Sequence, residues 1–286
     1  MEKLFMNKKV LIGVLIGSGV LILIIVGVIF MKLIDGSDSK KDNVDKNDKR
    51  EEKVDEVEDE TVKTDKTTVE LEKAPSNSLE YKNLEDGEYI TEKGYTLKIE
   101  NGVASVEGHL IVNKTFSVPM NYQPVDSYTP VTSERCMNCL ERDVMSAFNL
   151  MKSDAVSVGL NIYIASGYRS YSYQERLYNN YTAVSGVEGA DTYSARAGHS
   201  EHQTGLCFDL NSVDDSFANT DEGKWIQDNA YLYGFIIRYP KGKESITGYQ
   251  YESWHLRYVG IELAKELYND GNWITMEEYY GISSSY

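Results

Sequence analysis

The chain has 286 residues, 26% of them charged, and a formal net charge of −16. No basic stripe is present to neutralise phosphates, so nucleic acid is not an expected partner. Three cysteines do not make a disulfide framework, and the first third does not read as globular, so the folded part is shorter than the length implies.

Val10 to Met31 is an uncharged, almost unbroken apolar run. As a helix it would be roughly 33 Å long, enough to cross a hydrocarbon core. Lys3, Lys8 and Lys9 precede it and an acidic segment follows. The positive-inside bias therefore puts the amino terminus in the cytoplasm and everything beyond Lys32 outside, anchored to the cytoplasmic membrane through residues 10–31. No small-x-small cleavage pattern follows the run, so an uncleaved signal anchor is expected rather than a cleaved signal peptide. Residues 35–75 hold 15 acidic against 9 basic side chains and no aromatic residue. Such a segment buries too little apolar surface to offset chain entropy and is expected to be a disordered tether. The expected organisation is a cytoplasmic tip and anchor over 1–34, a tether over 35–78, a small β-hairpin segment over 79–109 and the main folded domain over 110–286.

In the hairpin segment, Tyr95 to Glu100 and Val103 to Glu107 flank Asn101-Gly102, the strongest short-range hairpin signal. Whether this segment packs on the rest of the chain is not legible in the sequence. Pro119, Pro124 and Pro130 then break an extended stretch. Leu140, Val144, Ala147, Phe148, Met151 and Ala155 recur at helical spacing, with Gly159 to close the helix. Asn161 to Ser166 alternates as a strand that ends at Gly167-Tyr168-Arg169. Ser172-Tyr173-Gln174-Glu175 has the capping-box form and predicts a helix start at Ser172. Ala183 to Gln203 reads as a long loop, Gly205 to Asn211 as a strand, and Trp225 to Leu232 as a helix ended by Gly234. Phe235 to Tyr239 and Trp254 to Val259 are predicted strands, and Ile261 to Asn269 a final helix. The order predicts an α+β fold with a small central antiparallel sheet covered by helices. Cys136 and Cys139 form a lone C-x-x-C, open between a local disulfide, a reduced pair and no function. Cys207 is expected on the same side of its strand as Asp209, as a buried small hydrophobe in preference to a metal-proximal thiol.

His202, Asp209 and His255 are the candidate ligands of a catalytic divalent metal. Two imidazoles and one carboxylate suit Zn2+ and leave a fourth position open for water. Glu252, three residues before His255, is the candidate general base. Arg169, at a strand end, is placed to stabilise a developing oxyanion. His199 is a less favoured substitute for His202, and His109, without a partner pattern, is expected to be solvated.

Ser166-Gly167-Tyr168-Arg169-Ser170-Tyr171 with Gln174, Ser200 to Leu206 with Asp209, Phe235 to Pro240, Thr247-Gly248 and Glu252 to Gly260 follow one another in the order of the VanY-type D-Ala-D-Ala carboxypeptidases. Over roughly residues 110–280 the chain resembles that family, part of the wider group of lysostaphin-like peptidases and hedgehog domains. The resemblance implies zinc on His202, Asp209 and His255, Glu252 as base, and Arg169 as transition-state stabiliser. It adds Gln174 and Ser200 as binders of the substrate's terminal carboxylate or peptide carbonyl. It departs at Cys207, where relatives commonly carry a small residue such as Ala. The implied activity is removal of the terminal D-Ala from peptidoglycan stem peptides, in wall maturation or glycopeptide resistance. An L,D-carboxypeptidase, a peptidoglycan endopeptidase and a non-catalytic zinc-containing wall-binding module are the alternatives.

Overall fold

The computed structural model describes Tyr81 and residues 84–286; the expected anchor and the whole of the tether lie outside the described residues. Among the described residues, two four-stranded sheets and one two-stranded ribbon organise the fold. In the first, β1 (Gly87–Ile90), β2 (Thr96–Glu100), β3 (Val103–Val106) and β4 (His109–Ile111) form an antiparallel meander in sequence order. Its β2–β3 turn is Asn101-Gly102, both at positive φ (53° and 71°), the requirement that made the hairpin legible. The predicted hairpin thus gains a strand on either side.

The meander does not stand alone. Leu97, Ile99, Val106 and Ile111 join one hydrophobic cluster with Trp273, Met276 and Tyr280 near the carboxyl end. His109 is half-buried rather than solvated. Its Nε2–H donates to Val259 O (3.1 Å) and its Nδ1 accepts from Tyr280 Oη (2.9 Å), so it rivets the meander to the segments after the central sheet.

The central sheet has the order β6-β8-β10-β9, every pair antiparallel, from β6 (Ile164–Ser166), β8 (Cys207–Leu210), β9 (Phe235–Tyr239) and β10 (Glu252–Tyr258). This is the predicted α+β architecture. Strand alternation sends Phe208, Leu210 and Leu256 into the apolar core and Cys207, Asp209, His255 and Arg257 to the opposite face. Helix α1 (Arg142–Ser157) covers the apolar face through Val144, Phe148 and Met151, with Phe148 edge-on to Phe208 at 5.2 Å. Each such fully buried side chain contributes about 1.5–3 kcal/mol. Helix α2 (Tyr171–Asp191) follows the ribbon of β5 (Arg135–Cys136) and β7 (Tyr168–Arg169). Further along come α3 (Asp221–Asn229), α4 (Glu244–Thr247), α5 (Ile261–Tyr268) and α6 (Met276–Tyr280).

Three local expectations are corrected. The cap of helix α2 lies two residues earlier than expected, because Ser170, directly after β7, accepts the Tyr173 backbone N–H and so caps the helix in place of Ser172. The expected loop from Ala183 is helical through Asp191, with a bend at Gly186 (φ 71°), and only then opens towards Ser200. The strand from Asn161 is shortened to Ile164–Ser166 because the Asn211 side chain takes over its start, accepting from Tyr163 N (2.9 Å) and donating to Asn161 O (2.9 Å). Cys136 and Cys139 are joined in a disulfide.

Candidate metal centre

Asp209 on β8 lies directly across from His255 on β10. His202 approaches from a single 3-10 turn, Glu201–Gln203, that precedes β8. All three are at least 96% buried, and the two imidazole rings stand 5.0 Å apart at 85°. Asp209 reaches both, at 3.4 Å from His202 Nε2 and 3.3 Å from His255 Nδ1. Zinc bonds of about 2.0–2.1 Å at tetrahedral angles would separate neighbouring donors by about 3.3–3.4 Å. The distance from each imidazole nitrogen to its nearer Asp209 oxygen, Oδ2 for His202 and Oδ1 for His255, matches that figure.

Hydrogen bonding points the right nitrogens inward. His202 Nδ1–H donates to Gly167 O (2.6 Å), so Nε2, buried and without a hydrogen-bond partner, is the nitrogen turned towards the other donors. His255 Nε2–H donates to Glu201 Oε2 (3.3 Å), which leaves Nδ1 towards Asp209 and towards Glu252 Oε2 at 3.6 Å. Outer hydrogen bonds of this kind fix the tautomer of a metal-binding imidazole. Ligand atoms of Asp209, Glu252 and His255 lie within 4.8 Å of one another, as do those of His202, Cys207 and His255. Cys207 is therefore a thiol among the donors, not merely a small apolar filler. Burial and Arg169 push the His202 imidazole down, but Cys207 and Asp209 outweigh them and lift it to about 9. His255 is likewise lifted well above its ordinary value, against burial, by Cys207, Asp209 and Glu201. The anionic donors draw positive charge to this spot, and a divalent cation answers the same field.

The alternative ligand His199 is elsewhere, its Nδ1 on Asn113 O at 2.8 Å. The other expected residues line the same cavity of about 110 Å³: Arg169, Gln174, Ser200 and Glu252. Glu252 begins β10, its side chain 12% exposed, and burial pushes its carboxyl up to about 7 against the pull of His255. Arg169 has a buried Nε with no hydrogen-bond partner. Gln174 is 1% exposed; its Nε2 donates to Ala195 O (2.7 Å), leaving Oε1 as an unpartnered acceptor. Ser200 is buried and makes no capping hydrogen bond, so its hydroxyl is not consumed by the turn it precedes.

Sequence reasoning missed the layer beneath. Glu201, 1% exposed, accepts from Arg238 Nε (2.8 Å), Arg257 Nη1 (2.8 Å) and His255 Nε2 (3.3 Å). Glu277 on α6 closes the network with two bonds to Arg238, at 2.9 and 2.7 Å. Two buried arginines and two buried glutamates balance in charge. The available signal was Arg257, two residues after His255 on one strand and hence on the metal face.

Residues 137–261 match the family model of the VanY D-alanyl-D-alanine carboxypeptidases. YodJ of Bacillus subtilis (strain 168) is 38% identical over 215 residues, which cover 69% of this chain and 78% of that protein. The chain belongs to the VanY family. A D-alanyl-D-alanine carboxypeptidase of Enterococcus faecium is 42% identical over 123 residues, 43% of this chain and 38% of that protein. Among solved structures, the LdcB LD-carboxypeptidase matches at 36% identity with a TM-score of 0.57, covering 66% of this chain and 95% of that one. The family and the donor cluster together make this VanY-family chain a zinc metallopeptidase.

Proposed function

We propose that the chain is a D,D-carboxypeptidase that removes the terminal D-Ala from peptidoglycan stem peptides, with His202, Asp209 and His255 as its zinc ligands. The observation that carries this is an asymmetry about Glu252. On one side is the small cavity of about 110 Å³ with Arg169, Gln174 and Ser200; on the other a hollow of about 530 Å³, which shares Tyr181, Tyr193, Val213, Glu252 and Trp254 with it. A small end suits one departing residue and a wide end the body of the peptide. An endopeptidase would need room on both sides.

Bound zinc supplies a Lewis acid and brings the pKa of water towards about 7. Glu252, on the shared wall, takes the proton of the attacking water and hands it to the departing amine. Arg169 faces the charge that develops on the scissile carbonyl oxygen. Gln174 Oε1 accepts from a substrate N–H, and Ser200 Oγ donates to the terminal carboxylate. The Cys136–Cys139 bond supports an oxidising, extracellular setting, in keeping with anchoring of the domain through residues 10–31.

The likeness to an LD-carboxypeptidase supports a second reading, cleavage of tetrapeptide stems. Incubating the full chain with penta- and tetrapeptide stems and weighing the products separates them. Loss of one D-Ala from the pentapeptide is expected. Loss from the tetrapeptide alone would replace the first reading with the second, and release of larger fragments would overturn both.

A further inference from the structure

We infer that the Cys136–Cys139 disulfide is a positioning element of the active site, bracing β5 on β7 and so fixing both Arg169 and the Gly167 carbonyl that sets the His202 tautomer. The functional roles of Arg169 and His202 rest on the reading given under Proposed function; the contacts do not. Arg135 pairs with Arg169 and Cys136 with Tyr168, and Ser170 N donates to Glu134 O (2.8 Å). Strand β7 therefore holds the candidate oxyanion residue through a ribbon of only two residues a side. An isolated ribbon is marginal at best in water, so something must hold this one closed.

The disulfide turn does so by lying on Gly167. A Cβ there would strike the Met137 carbonyl oxygen and come within 2.9 Å of Cys136 O. Only glycine lets the two backbones approach this closely. The same Gly167 presents its carbonyl to His202 Nδ1 at 2.6 Å. At the far end of the turn, Cys139 and Leu140 are buried, and Leu140 O accepts from Tyr128 N (2.7 Å). The cross-link thus ties an anchored segment to the half-buried Cys136, whose carbonyl bears on the residue between β6 and β7. Opening it frees the turn to lift, and Gly167 O and Arg169 lose their common support while the central sheet keeps its own pairing.

The test reduces the full chain with a water-soluble phosphine, which takes oxygen from water to become its oxide while Cys136 and Cys139 become thiols. Reduction is expected to lower kcat on the stem peptide about 10-fold with KM within twofold, and to weaken zinc binding about 10-fold by chelator competition. Reoxidation should restore both. A Cys136→Ser/Cys139→Ser chain should start at the lowered values and ignore the phosphine. If that variant fails to fold, reversible reduction of the natural chain, with circular dichroism unchanged, still decides the matter. Unchanged kcat and zinc affinity, whether with a lowered Tm or none, would overturn the inference. An oxidised natural chain inert on stem peptides sinks the proposed function, while the zinc titration continues to read the brace.

Discussion

Glu201→Gln isolates the buried layer under the metal donors, because it preserves shape and deletes one charge. The lost carboxylate served Arg238, Arg257 and His255 at 2.8, 2.8 and 3.3 Å. An amide has one acceptor end and one donor end, so whichever way it turns, a cationic or N–H donor meets another donor. Removing one partner of a buried ion pair costs about 3–5 kcal/mol. Arg238 keeps both bonds to Glu277, and Arg257 keeps Leu110 O (2.7 Å) and Tyr258 O (3.0 Å), which argues for the lower end, about 3 kcal/mol. At about 2–4 °C per kcal/mol for a domain of this size, Tm should fall by about 6–12 °C. Zinc affinity should fall about 10–100-fold as His255 loses the acceptor that sets its tautomer. Calorimetry and a competitive zinc titration measure the two. Burial pushes the Glu201 carboxyl up, but Arg238 and Arg257 outweigh it and hold it far below its ordinary 4.5. A depressed folded value means stability that is present above that range and lost as pH falls below it. The natural chain should therefore lose Tm below about pH 4.5 more steeply than Glu201→Gln. A variant with Tm within about 2 °C of the natural chain and unaltered zinc affinity would refute the reasoning.

Glu252→Gln should lower kcat about 10²–10⁴-fold while zinc still binds, measured by D-Ala release beside a metal titration; an undiminished rate would remove Glu252 from the chemistry. Arg169→Met should lower kcat about 10²–10³-fold with KM less affected, by steady-state kinetics on the pentapeptide. His109→Leu should leave Tyr280 Oη and Val259 O without a partner at the seam of the meander, costing about 1–3 kcal/mol in denaturant unfolding. No loss there would mean that the apolar contacts alone dock the meander.

What the sequence made legible followed from periodicity and turn chemistry. Phe235–Tyr239 is a strand at the expected bounds, and Asn101-Gly102 turns where positive φ was required. His202, Asp209 and His255 meet because pairing of β8 with β10 sets two of them opposite each other, a placement that motif order anticipates without showing it. The errors arose where tertiary context overrode local signals. Ser172 carries the better capping pattern, but β7 ends at Arg169, so Ser170 is the residue free to cap. Gly186 and Gly189 read as loop, yet only Gly186 breaks the helix, which resumes after it and continues to Asp191. Glu201, Arg238, Arg257 and Glu277 escaped notice because isolated charges read as solvated faces, and only three-dimensional pairing makes them a balanced interior.

The facing of Asp209 and His255 across two strands has a temporal consequence. Dozens of residues separate them along the polymer, so neither half of the cluster exists until those distant stretches have zipped together, a slow event for non-local pairing. A nascent or partly unravelled polypeptide cannot cut anything. Hydrolytic competence can therefore appear only once β8 and β10 have paired, and turnover becomes a gauge of how much of a preparation has made that pairing.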